Sequence, residues 1–121
     1  MVDQITVLVV EDEVFVRMSI AFDLQDAGFT VLEASDADEA IDLLLKNPQI
    51  RVLFTDVDMP GSMDGLKLAI AVRDRWPPIK IIITSGHRWL TTKTLPVTGE
   101  FLIKPYTPDR VIRAIRGLID A

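Results

Sequence analysis

Arg51-Val-Leu-Phe-Thr-Asp-Val-Asp-Met-Pro60 is the stretch that decides the fold. Val52, Leu53 and Phe54 form a short apolar run, the pattern of a strand buried on both faces of a parallel sheet. Thr55-Asp56 closes the run, and Pro60-Gly61 breaks the chain into a loop. Asp56 therefore stands at the carboxyl end of a central strand. In open α/β sheets that edge is where ligands bind. A lone Asp in such a place is commonly a turn or cap residue. Its carboxylate can also hold a cation, or attack phosphorus to form an aspartyl phosphate.

Similar runs lie on both sides. Upstream, Ile5–Val10 reads as a buried strand followed at once by Glu11-Asp12-Glu13. A helical pattern starts at Val14, with Val14, Met18, Ala21 and Leu24 expected on the inner face and Gly28 stopping it. Phe29–Leu32 reads as a second strand. Ser35 with Asp38 three residues on is an N-cap signature. Ala37, Ala40, Ile41, Leu44 and Leu45 then form one apolar face, ended by Asn47-Pro48. Downstream, Gly65–Trp76 reads as a third helix with Leu66, Ala69 and Ile70 inward, closed by Pro77-Pro78. Ile79–Thr84 and Glu100–Ile103 are the fourth and fifth strands. Thr107 caps a final helix, Pro108 takes its first position, and Val111, Ile112, Ile115, Leu118 and Ile119 make its buried stripe.

Strands alternating with helices predict βαβ units and a parallel sheet covered on both faces. Right-handed crossovers leave few topologies. Five short units fit a doubly wound, flavodoxin-like α/β sheet of order 2-1-3-4-5. No G-x-G-x-x-G follows the first strand and no G-x-x-x-x-G-K-[ST] occurs, so nucleotide-binding folds lose their main support.

A length of 121 residues predicts a single domain spanning 1–121. The hydrophobic share of 49% and charged share of 26% are those of a soluble globular protein. A formal charge of −5 argues against direct binding of nucleic acid, whose partners are usually basic. Cysteine is absent, which excludes disulfides and thiolate metal sites. The start, Met1-Val2-Asp3-Gln4, carries no signal-peptide pattern, and no apolar run approaches membrane-spanning length. A cytoplasmic protein, monomeric or weakly dimeric, is expected.

In the order 2-1-3-4-5, the crevice lies between the carboxyl ends of strands one and three. Glu11 and Asp12 would then stand beside Asp56. Acidic residues at a helix start are favoured by the dipole alone. Three clustered carboxylates, however, either rise in pKa or hold a cation, and an all-oxygen site with water positions suits Mg²⁺. Strand four ends in Thr84-Ser85-Gly86, where a hydroxyl can bond a phosphoryl oxygen. Strand five ends in Lys104-Pro105, whose ammonium can neutralise charge on a transferring phosphoryl group.

With these residues in place, the chain resembles the receiver domain of two-component response regulators, of the single-domain chemotaxis type. The matching segments are Val7-Leu-Val-Val-Glu-Asp-Glu13, Thr55-Asp-Val-Asp-Met-Pro60, Met63-Asp-Gly65, Thr84-Ser-Gly86 and Lys104-Pro-Tyr106. The resemblance implies that Asp56 accepts a phosphoryl group from a histidine kinase or histidine phosphotransfer protein. It implies Mg²⁺ held by Glu11, Asp12, Asp56 and the main-chain carbonyl of Val57. It makes Thr84 the switch hydroxyl, with Ser85 beside it, Lys104 the phosphate-contacting lysine, Phe101 the switch aromatic and Lys104-Pro105 a cis peptide. Such a protein catalyses at most its own phosphotransfer and dephosphorylation, and signals through contacts with a downstream protein.

Departures from the family pattern are expected to matter. Gly61-Ser62 lengthens the loop after Asp56 by one residue. Asp58 adds a negative charge two residues beyond the acceptor, at a position resembling the family's tuner of phosphate lifetime. Residues 87 to 99, rich in Thr, Pro and Gly, are poor helix formers, so the family's fourth helix should be reduced or distorted and this segment mobile. His87 reads as a loop residue, Trp89 as a local core plug, and Arg73 and Arg75 as a solvated face. Two other functions fit parts of the pattern. Asp56-Val-Asp58 looks like the D-x-D pair of haloacid-dehalogenase-type phosphatases, though that pair usually follows the first strand. A receiver fold without phosphorylation would act purely as an interaction module, but no member of the acid, acceptor and lysine set is missing.

Overall fold

The computed structural model describes residues 4–58, 64–86 and 99–120. Among these the chain runs β1 (Thr6–Val10), α1 (Val14–Asp26), β2 (Thr30–Ala34), α2 (Ala37–Lys46), β3 (Ile50–Asp56), α3 (Gly65–Arg75), β4 (Lys80–Ser85), β5 (Glu100–Ile103) and α4 (Pro108–Asp120). The strands form one parallel sheet in the order β2-β1-β3-β4-β5. The expected 2-1-3-4-5 topology is therefore observed. Expected segment 87 to 99 lies, except for Gly99, outside the described residues, as do Gly61, Ser62, His87 and Trp89.

Alternation along the strands assigns each face. Val7, Val9, Val52, Phe54, Ile82 and Leu102 pack with Ile20 and Leu24 of α1 and Val111 and Ile115 of α4. Leu8, Val10, Leu53, Ile81 and Ile83 pack with Ala40 and Leu44 of α2 and Leu68 and Val72 of α3. Successive strand side chains point to opposite faces, so both faces of β1 and β3 are apolar because both are covered.

Several helix faces differ from expectation. On α1, Ile20, Ala21 and Leu24 are buried, while Val14 is 45% and Met18 56% exposed. The helix is apolar nearly all round, so periodicity could not choose the face; Phe15 and Phe22, one heptad apart, also lie outward. Asp36, not Ser35, caps α2: its Oδ1 accepts from Glu39 N at 2.8 Å, and Ser35 Oγ donates to the Glu39 carboxylate at 3.0 Å. Leu45 is 58% exposed rather than inward. On α3 the buried residues are Gly65, Leu68, Ala69 and Val72, with Leu66 and Ile70 half-buried at the core's edge. The α4 stripe is as expected, Val111 and Ile115 fully buried and Ile112, Leu118 and Ile119 packed around them. Thr107 Oγ1 caps it by accepting from Arg110 N at 3.3 Å. Gly28 ends α1 at φ +102°, a conformation open to glycine. Among the described residues no helix is long and apolar enough to cross a membrane.

Candidate functional site

The carboxyl ends of β1, β3, β4 and β5 lie side by side along one edge of the sheet. Asp56 pairs in register with Thr84 across β3 and β4. Main-chain bonds continue the ladder past the strand ends: Val57 N donates to Thr84 O at 2.9 Å, and Lys104 N to Ser85 O at 2.8 Å. Glu11 N donates to Ala34 O at 3.0 Å, tying the end of β1 to β2. Glu11 and Asp56 continue the alternation of Val7, Val9 and Phe54, and Thr84 that of Ile82, so all three lie on the α1/α4 side of the sheet.

Asp56 and Glu11 are each 3% exposed, while Asp12 is exposed. One carboxylate oxygen from each of Glu11, Asp12 and Asp56 lies within 4.8 Å of the others. Lys104 Nζ donates to Asp56 Oδ2 at 2.9 Å and to Glu11 Oε1 at 3.2 Å, with its side chain 28% exposed. The ammonium thus supports two buried carboxylates at once. Burial pushes the Glu11 carboxyl up from 4.5 to about 7, helped by a hydrogen bond shared with Asp12 and opposed by Glu13 N–H and Lys104. Burial lowers the pKa of Lys104, but the hydrogen bond and charge of Asp56, with those of Glu11, outweigh it and raise it above 10.5.

Thr84 is 1% exposed and Ser85 fully buried, on opposite faces of β4. Ser85 Oγ donates to Asp58 Oδ2 at 3.3 Å, and Asp58 N donates to Asp56 Oδ1 at 3.3 Å. The Val57 carbonyl accepts from Gly65 N at 3.1 Å, at the start of α3. Gly65 fits so close to β3 that a Cβ there would overlap the Asp56 carbonyl oxygen. Phe101 is half-buried and packs on the α2/α3 side of the core, away from Leu102. The Lys104-Pro105 peptide is cis. Tyr106 stands edge-on to Phe54 with ring centroids 5.6 Å apart, and burial pushes its hydroxyl up to about 12. Arg73 and Arg75 are exposed, as expected; Arg75 also lies over the Trp76 ring at 4.7 Å.

Two features escape sequence reasoning. The first is a groove of about 650 Å³ beside Lys104, walled by Phe15, Val16 and Ile20 of α1 and by Pro105, Tyr106 and Pro108. Phe15 was the available signal, but it belongs to a helix whose inner face is equally apolar. The second is Arg17, which donates from Nη1 to the Glu11 carbonyl at 2.9 Å and pairs through Nε with Glu33 at 3.3 Å.

Residues 7–116 match the family described as the response regulator receiver domain. This chain belongs to that family. A solved response regulator receiver protein from Sinorhizobium medicae superposes on it with a TM-score of 0.89 and 30% identity, covering 98% of this chain and 97% of that one. The chemotaxis protein CheY homolog of Campylobacter jejuni is 36% identical over 84% of this chain and 82% of its own length. The hydrogenase transcriptional regulatory protein HoxA of Cupriavidus necator is 37% identical over 98% of this chain but only 25% of its own. The chain spans about a quarter of the length of the first curated relatives it matches. This receiver is thus a signalling domain of two-component systems, in which receivers take phosphate from histidine kinases and bind Mg²⁺ through acidic residues. Family membership leaves the phosphatase alternative for Asp56-Val-Asp58 without support, since Asp56 closes the third strand of a receiver.

Proposed function

We propose that Asp56 is the phosphoacceptor of this receiver, with Lys104 and the acids Glu11 and Asp12 as its working partners. One observation carries this reading: a carboxylate 3% exposed at the end of β3, gripped by Lys104 and set within 4.8 Å of two further carboxylates. Its chemistry is nucleophilic. An Asp56 oxygen attacks phosphorus of a phosphohistidine; the P–N bond breaks, its electron pair returning to the imidazole, and an acyl phosphate forms. Lys104 can follow the added charge from the carboxylate to the phosphoryl oxygens. Thr84, in register with Asp56, lies where its hydroxyl can meet the same group after transfer.

The donor set fits a hard divalent cation: three carboxylates, no sulfur and no nitrogen ligand. Mg²⁺ bound by Glu11, Asp12 and Asp56 would neutralise the phosphoryl oxygens. The Val57 carbonyl keeps one lone pair beyond its bond to Gly65 and could add to the set.

The donor protein would dock on α1. Phe15, Met18 and Phe22 are 84%, 56% and 67% exposed and follow one another at helical spacing. Phe15 also walls the groove that Lys104 lines, so an apolar helix seated there would carry its histidine toward Asp56. The test is acetyl phosphate with Mg²⁺, read by intact mass. Wild type should gain one phosphoryl group and Asp56→Asn none; labelling that persists in Asp56→Asn refutes the assignment.

A further inference from the structure

The turn that carries two of the three acids, Glu11 to Glu13, joins β1 to α1 with little local support. α1 begins without a side-chain cap: Glu13 at that position makes no such bond. The side-chain bonds inside the turn, Glu13 N to Glu11 Oε2 at 3.2 Å and the one Glu11 shares with Asp12, engage carboxylates that a metal would draw away. Glu13 O is held by Arg17 N at 2.9 Å in the first helical bond of α1, and what fixes Glu11 independently of the metal is referred to β2. Glu11 N is held by Ala34 O, and Glu11 O by Arg17 Nη1, whose Nε pairs with Glu33. Ala34 and Glu33 are consecutive residues of β2, so both main-chain groups of Glu11 are referred to one strand.

Arg17 is built for this rather than for display. Its side chain is only 15% exposed. A cation in the first turn opposes the helix dipole, and Glu33 offsets that cost. A planar guanidinium fork can serve two partners at fixed geometry, which an ammonium cannot. It reaches the carbonyl of Glu11, not the carboxylate, so it acts on position.

We infer that Arg17, anchored by Glu33, is a positioning residue that presets the Glu11-Asp12 turn for Mg²⁺. This rests on the proposed metal site. Its sign separates it from plain electrostatics. Removing a positive charge beside a cation site should tighten cation binding, whereas loss of a support should weaken it.

The experiment is calorimetric titration with Mg²⁺ of wild type, Arg17→Met and Arg17→Lys, together with amide exchange of the metal-free proteins. Arg17→Met should weaken Mg²⁺ by about tenfold, as supports of metal ligands commonly do. It should also speed exchange at the Glu11 amide. Arg17→Lys keeps the charge but loses the planar fork, and should weaken Mg²⁺ by less than Arg17→Met does, a loss of the same kind. The Lys variant decides the matter should the Met variant fail to fold. With saturating Mg²⁺, the rate of labelling by acetyl phosphate should return to near wild type in both. Unchanged or tighter Mg²⁺ binding in a folded variant overturns the inference. Wild type that binds no Mg²⁺ overturns the metal site itself, and this role with it.

Discussion

Gly65→Ala should damage the fold and the site together. Gly65 opens α3 directly under the end of β3, and its N–H holds the Val57 carbonyl. A Cβ there would overlap the Asp56 carbonyl oxygen, 2.7 Å from its carbon and 2.8 Å from Val57 Cα. Ordinary carbon contacts need about 3.5–4.0 Å, so α3 and β3 must part by roughly 1 Å. The obstacles are main-chain atoms of a buried strand, which cannot swing aside as a side chain would. Overpacking of this kind costs about 1–3 kcal/mol, and the absence of a flexible neighbour puts it at the upper end. Alanine returns at most about 1 kcal/mol of helix propensity, less in a first turn. The net loss should be about 2 kcal/mol, seen in urea melts as a midpoint about 1 M lower. Because the shift falls on Asp56 itself, labelling by acetyl phosphate should slow by on the order of 100-fold. A variant with the wild-type midpoint and wild-type labelling would refute the close approach as a determinant of the site.

Lys104→Met should destabilise the metal-free protein by about 1–3 kcal/mol, since it strands two buried carboxylates, with the 28% exposure of the lysine keeping the loss below that of a fully buried pair. Urea melts should show Mg²⁺ restoring most of it. Glu11, raised to about 7 from 4.5, is protonated in both states at low pH; between pH 4.5 and 7 the unfolded chain loses its proton first, so metal-free stability should fall as pH rises through that window. The fall should be about 1–3 kcal/mol and absent in Glu11→Gln, as thermal melts across pH would show. Phe15→Ser and Phe22→Ser should leave stability within about 0.5 kcal/mol, because both rings already face water. They should slow transfer from a phosphohistidine protein while sparing transfer from acetyl phosphate, and equal rates from the protein donor would remove α1 as the docking face.

Strand positions were legible because central strands of a parallel sheet are covered on both faces and so appear as unbroken apolar runs, as at Val52–Phe54 and Ile81–Ile83. The clustering of Glu11, Asp12, Asp56 and Lys104 was legible for a related reason: they sit where such runs stop, and order 2-1-3-4-5 sets those ends side by side. Helix orientation was harder. α4 has one apolar stripe and was read correctly, whereas α1 has two and was read half correctly, with Ala21 and Leu24 inward as expected but Val14 and Met18 outward. Ser35 and Asp36 are adjacent residues of equal capping ability, and only the backbone decides between them. Arg17 had no local signal, because its partners Glu11 and Glu33 become neighbours only when β1 pairs with β2.

The ladder that runs from Val57 to Thr84 and from Lys104 to Ser85 has a consequence for how such a chain tolerates insertions. Asp56, Thr84 and Lys104 are spaced by rungs, not by the loops between them. A residue added between elements lengthens a surface excursion, at an entropic cost that grows only slowly with length. A residue added or lost within β3 would turn Asp56 to the α2/α3 side and put Thr55 or Val57 in its place. Drift in length should therefore gather in the connections, such as the one after Asp58, while the strands stay as they are.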